Sequence, residues 1–179
     1  MAKVGKPFKL TVAALADIVV AFLFIVIGVS SKGWFTLPSK FGTDTWTGLS
    51  DTSSEPKGQA AYALCVISTL AASTALTAIA IDLITQLLKK KSEKLAKIIT
   101  LVTLIAAIVG GNFGIIGSII HAAWLGGFYS DSTISYTPGV SYYLTVVGSL
   151  ALIIGGGLAR RARNGTRIGE NSQEIDNEN

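Results

Sequence analysis

Three ionisable side chains stand inside long apolar runs of this sequence: Asp17, Asp82 and His121. A titratable group at membrane depth is costly, and where one occurs it is a candidate for a proton relay, an ion contact or a polar clamp between helices. Asp17 falls about nine residues into its run, near mid-depth of a span. It could bond a neighbouring helix hydroxyl or Asn112, carry a proton, or line a polar pocket, so Asp17 and Asn112 together form a candidate intramembrane polar site. Asp82 stands about two turns before the Lys89–Lys91 cluster, and His121 lies toward the end of its run beside Trp124; both read as interface residues.

Catalysis asks for more than isolated polar groups. A hydrolase needs a nucleophile, a base and an orienting group within reach of one another. The single cysteine, Cys65, and the single histidine, His121, lie in different runs with no spacing of that kind, and the chain reads as a non-enzyme. They are too few for a Cys/His zinc site, and no metal or cofactor is expected. Gly155-Gly156-Gly157 ends an apolar run against Arg160 and Arg161, which suits close packing better than a phosphate loop. Cys65 excludes an internal disulfide and reads as a small buried hydrophobe.

The elements that must position these residues follow from composition. Of 179 residues 50% are apolar and only 15% charged, with a mean hydropathy of +0.54, where a soluble domain carries roughly 25% charged residues. The runs Phe8–Val29, Ala60–Ile81, Ile98–Leu125 and Val140–Ala159 are each about 20 residues or more, enough to cross ~30 Å of hydrocarbon. A water-soluble globule is excluded, and so is an outer-membrane barrel, whose strands would alternate apolar and polar. The expected fold is an all-α membrane protein, a four-helix transmembrane bundle. Its spans fall at about 8–29, 60–88, 97–125 and 140–160 within a membrane domain 1–163, and the polar, acidic segment 164–179 reads as a disordered cytoplasmic tail. The first run exceeds the 7–15 apolar residues of a cleaved signal peptide, so it is read as a retained span.

The basic residues set the topology. Twelve of the fifteen Lys and Arg precede span one, join spans two and three, or follow span four; only Lys32, Lys40 and Lys57 fall on the other side. By the positive-inside rule both termini are cytoplasmic. Positive charge gathered at helix ends, not over a groove-binding face, excludes nucleic acid as a partner and leaves membrane lipids.

Small residues recur at helical spacing: Gly110, Gly114 and Ser118 in span three, Ala151, Gly155 and Ala159 in span four. Such rows let backbones approach where lipid supplies no hydrophobic drive between helices; they serve packing within one bundle or a dimer contact. Between spans one and two, Phe35-Thr36-Leu37 and Thr45-Trp46-Thr47 have the aromatic and threonine content of short strands. A small extracellular hairpin or sheet is expected there, with Ile134–Thr137 as a further strand before Pro138.

The order of these pieces resembles the claudin superfamily, which includes the peripheral myelin proteins and the calcium-channel gamma subunits. Gly33-Trp34 follows span one, Gly48-Leu49 lies later in the loop, Gln59-Ala60-Ala61 opens span two, and Phe128-Tyr129 follows span three. Ser50 and Tyr62 depart from the family's Trp and Arg, and the paired loop cysteines are missing. The resemblance implies a structural protein of the plasma membrane and cell junctions, mediating contact or barrier organisation through its outer loops as a homo-oligomer or with a membrane-protein partner. The alternative that the likeness to the gamma subunits implies is an auxiliary subunit of a channel or receptor. A small transporter using Asp17 is the reading from a different class. The family places a Trp at position 34, and a loop this poor in apolar area needs one large aromatic to hold it; Trp34 is therefore expected to anchor the sheet, with Leu49 as its main neighbour.

Overall fold

The chain is a multi-pass membrane protein of four long helices. The computed structural model describes residues 6–37, 45–50, 56–88, 93–129 and 137–178. Helix α1 is Lys6–Ser30, α2 Pro56–Leu87, α3 Glu93–Tyr129 and α4 Val140–Glu178; the strands are β1 (Phe35–Leu37), β2 (Thr45–Thr47) and β3 (Thr137–Pro138). All four helices are long and apolar enough to span a membrane. Each overruns the apolar window that marks it in the sequence, because an existing helix extends into polar residues at the gain of one hydrogen bond per residue. Pro56 occupies the first turn of α2, where a missing N–H costs nothing.

That extension is largest in α4, whose helix continues to Glu178 where the sequence reads as a disordered tail from residue 164. The run Ala159-Arg160-Arg161-Ala162-Arg163 consists of strong helix formers that carry the helix past the last apolar turn.

The helices form a ring in which α1 packs most extensively on α4 and α2 on α3, with α3–α4 and α1–α2 contacts closing it. The interior is built from small residues and a few aliphatics: Ala14, Ile18, Ala21 and Ile25 of α1, Ala72 and Ala75 of α2, Ala107 of α3, Leu152 of α4. Large apolar side chains point outward, among them Leu23, Leu70, Ile105 and Ile154. In water such a surface would aggregate; in hydrocarbon it costs nothing, and close packing of small residues holds the helices together. Several buried hydroxyls bond within their own helix, Thr103 donating to the Ile99 carbonyl, Ser118 to Gly114 and Thr145 to Ser141, whereas those of Ser68 and Ser149 have no partner among the described residues.

Gly110, Gly114 and Ser118 are buried, and Gly114 lies between Ser68 of α2 and Ser149 of α4, where an added Cβ would collide with the Ser149 hydroxyl. This row thus packs inside a single copy of the bundle. Ala151 is half-buried against the same interior, and Gly155 is buried facing α1.

At the end of the bundle opposite Lys97 and Arg160 lies a three-stranded antiparallel sheet in the order β2-β1-β3. Phe35 pairs with Thr47 on one side and Pro138 on the other. Pro138, which has no N–H to give, stands on the edge strand, where the ladder tolerates it. The ladder runs on into the start of α4: Gly139 N–H donates to the Trp34 carbonyl at 2.7 Å and Ser141 N–H to the Gly33 carbonyl at 3.0 Å. Of the expected strand Ile134–Thr137, residues 134–136 lie outside the described residues, as do the β1–β2 turn and the Lys89–Lys91 segment.

Candidate functional site

The sheet end encloses a histidine. His121 of α3 is 0% exposed, and neither ring nitrogen has a hydrogen-bond partner among the described residues. Aromatic rings surround it: Trp34 at 5.3 Å between centroids, Phe35 edge-on at 5.1 Å, and Trp124 stacked at 5.9 Å with an interplanar angle of 15°. Tyr142 of α4 closes the far side, edge-on to Trp34 at 6.0 Å and 5.8 Å from Phe35. Leu49, Ala61, Cys65 and Leu125 complete the packing.

Local structure explains the convergence. His121 and Trp124 are three residues apart on α3 and so share a face. Trp34 and Phe35 lie where the chain turns from α1 into the sheet, and the Trp34 indole N–H donates to the Gly28 carbonyl at 2.6 Å, against the last turn of α1. Trp34 and Leu49 belong to the same buried cluster, as the loop's lack of other apolar area demands. Phe35, His121 and Tyr142 are equally central, and sequence reading did not single them out for this role. Gly48 is buried beside Leu49, while in the Gln59-Ala60-Ala61 segment only Ala61 reaches the cluster; Gln59 and Ala60 are exposed.

Enclosed in this way, the imidazole acts as a flat apolar filler between two tryptophans. Leaving its polar atoms dry costs about 1–3 kcal/mol, a cost offset by stacking worth about 0.5–1.5 kcal/mol per aromatic pair. What the box does is hold the sheet onto the bundle.

His121 and Asp82 lie toward the ends of their helices, as the sequence places them, but both are buried in protein and not hydrated, and Asp82 is paired. Asp82 is 7% exposed and accepts a 2.6 Å hydrogen bond from Gln86 Nε2, which also reaches Thr11 Oγ1 of α1 at 3.3 Å. The trio fastens α2 to α1. Ring packing buries the α2 face that carries Asp82, and hydropathy alone does not reveal which face that is.

The pairing of Asp17 with Asn112 is likewise corrected. They sit on α1 and α3, which lie diagonally across the ring. Asn112 is exposed and spends its amide on the Ile108 carbonyl of its own helix at 2.7 Å. Asp17 is half-buried against α4, and its Oδ2, which has no hydrogen-bond partner among the described residues, points at Gly155. Among the described residues no three of His, Cys, Asp and Glu come together.

No protein-family model matches this sequence, and no curated protein matches it. The functional reading therefore stands on the geometry and on the order of motifs along the chain.

Proposed function

We propose that this chain is a claudin-like structural protein of the plasma membrane, with both termini cytoplasmic, that makes contacts between copies or cells through its outer sheet. The observation that carries the reading is the rigid mounting of that sheet. Strands from both outer connections join one ladder, and Trp34, Phe35 and Leu49 sink fully into the aromatic box. A platform fixed to its helices transmits force and orientation from an outer contact to the membrane, which a contact protein requires. The motif order Gly33-Trp34, Gly48-Leu49 and Gln59-Ala60-Ala61 agrees with it.

Mixing cells that carry the chain with cells that lack it tests the reading. Enrichment at borders between two carrying cells, together with a homo-oligomer in mild detergent, is the expected result. Even distribution around the cell, with stoichiometric recovery of a larger channel or receptor, would replace it with the auxiliary-subunit reading. That second reading draws on a lateral groove where Ser73, Thr74 and Thr77 of α2 present hydroxyls beside Val102 of α3, a surface suited to a neighbouring membrane helix. The carrier reading has lost its pair, since Asp17 and Asn112 do not meet.

A further inference from the structure

At the end opposite the sheet, α3 and α4 part to form a cleft of about 310 Å³, lined by Lys97, Thr100, Leu101 and Leu104 on one side and Arg160 and Arg163 on the other. Its volume is at the lower end of the range for small-molecule pockets, roughly 300–1,000 Å³. The helices run antiparallel here. A Cβ on Gly156 would stand 2.6 Å from the Ala107 Cβ and 3.7 Å from the Leu104 Cα, so Gly156 is level with Leu104. Arg160 is then one turn nearer the mouth, level with Thr100, and Arg163 another turn, beside Glu93 and Lys97. The cleft grades from leucine on the membrane side to cations at its mouth.

The charges at that mouth are unevenly matched. Lys97 is paired with Glu93 at 2.7 Å, with both side chains more than half exposed. Arg160 and Arg163 have no carboxylate partner among the described residues. Arg163 reaches the Glu93 main-chain carbonyl with Nη2 at 3.5 Å, the outer limit of a hydrogen bond, and its Nε is buried without an acceptor. Two guanidiniums thus stand at the edge of the apolar slab without an anion, and one has a donor already stripped of water. Guanidinium donors match phosphate oxygens in pairs. The leucine floor continues the cleft toward the membrane interior, and Leu101 is 56% exposed there.

We infer that this cleft binds an anionic glycerophospholipid, with its phosphate between Arg160, Arg163 and Lys97 and one acyl chain along Leu101 and Leu104. A soluble phosphate would use the mouth and leave the leucines bare; a lipid satisfies both halves. The inference needs only that the chain is embedded in a membrane, and is independent of the contact function proposed above.

The full chain, reconstituted in phosphatidylcholine nanodiscs containing a minor fraction of phosphatidic acid, tests it by native mass spectrometry of retained lipid. Each basic residue near an anionic lipid contributes about a factor of five, so Arg160→Gln with Arg163→Gln should retain phosphatidic acid at least about tenfold less well. Lys9→Gln with Lys94→Gln removes the same charge outside the cleft and should retain it as wild type does. Equal loss in both pairs overturns the inference in favour of a general surface potential. Displacement of phosphatidic acid from the wild-type chain by inorganic phosphate overturns the lipid assignment, and that measurement stands even if the arginine variants do not purify in folded form.

Discussion

Asp17 and Gly155 face each other across the α1–α4 contact: a Cβ on Gly155 would lie 3.0 Å from Asp17 Oδ2 and 2.6 Å from Ile18 Cγ1. The glycine makes room for the carboxyl group, and α1 can carry an acid at mid-span without turning it to lipid. Gly155→Ala should cost about 1–3 kcal/mol through overpacking, seen as a lower Tm in detergent by tryptophan fluorescence. Because the pair is in contact, Asp17→Ala should recover part of that loss; strict additivity would show that they do not couple.

Asp17→Asn keeps the shape and polarity of the side chain and should leave surface level and Tm close to wild type. Asp17→Leu places branched carbon against the same backbone and should lower both. Wild-type behaviour of the leucine variant would mean that the carboxyl group contributes nothing.

Replacing His121 by Phe removes two dry nitrogens and keeps an aromatic ring in the box. Leaving such atoms unpaired costs about 1–3 kcal/mol, so His121→Phe should match or exceed wild-type Tm, whereas His121→Ala should fall by several degrees. A sharp loss in the Phe variant would reveal a hydrogen-bonding role for the imidazole.

Trp34→Ala should cost about 3–5 kcal/mol at its packed site and free the sheet while the helices stay folded. Limited proteolysis between residues 36 and 57 should rise sharply, with helical circular dichroism unchanged. Unaltered protection would end the anchor role. Trp34→Phe, which loses the bond to the Gly28 carbonyl and part of the indole's buried volume, should cost less than the alanine variant, about 1–3 kcal/mol.

Gln86→Leu severs the link from Asp82 to Thr11. Membrane-buried polar contacts average about 0.6 kcal/mol and reach about 1.7, so a Tm decrease of a few degrees is expected, with no change in the sheet's protease protection.

The four spans are legible in the sequence because each is a long apolar run, a signal that survives without knowledge of any neighbour. Strands β1 and β2 are legible for a similar reason: Phe35-Thr36-Leu37 and Thr45-Trp46-Thr47 carry β-branched and aromatic residues in short runs between turn residues. Trp34 stands out because nothing else in its loop has comparable area. What does not show is which face of each helix turns inward. Asp82 and His121 look peripheral by distance from the helix ends, yet both point into the ring. Asp17 and Asn112 look like partners by depth, yet they sit on diagonal helices. Depth along a span follows from counting; azimuth follows from which helices pair, and that is settled by small-residue contacts such as Gly155 on Ile18 that only the folded bundle displays.

The third strand has a consequence for biogenesis. Thr137 and Pro138 leave the ribosome after the first three helices, and their partners, Phe35 and Thr36, precede them by about a hundred residues. The ladder cannot close until the chain's final hairpin has crossed the bilayer in the right direction. A polypeptide stalled or inverted at that step presents β1 with an unpaired edge and an aromatic box missing Tyr142. Closure of the sheet thus depends on the last two helices being in place: the β1 edge is covered only in the complete bundle.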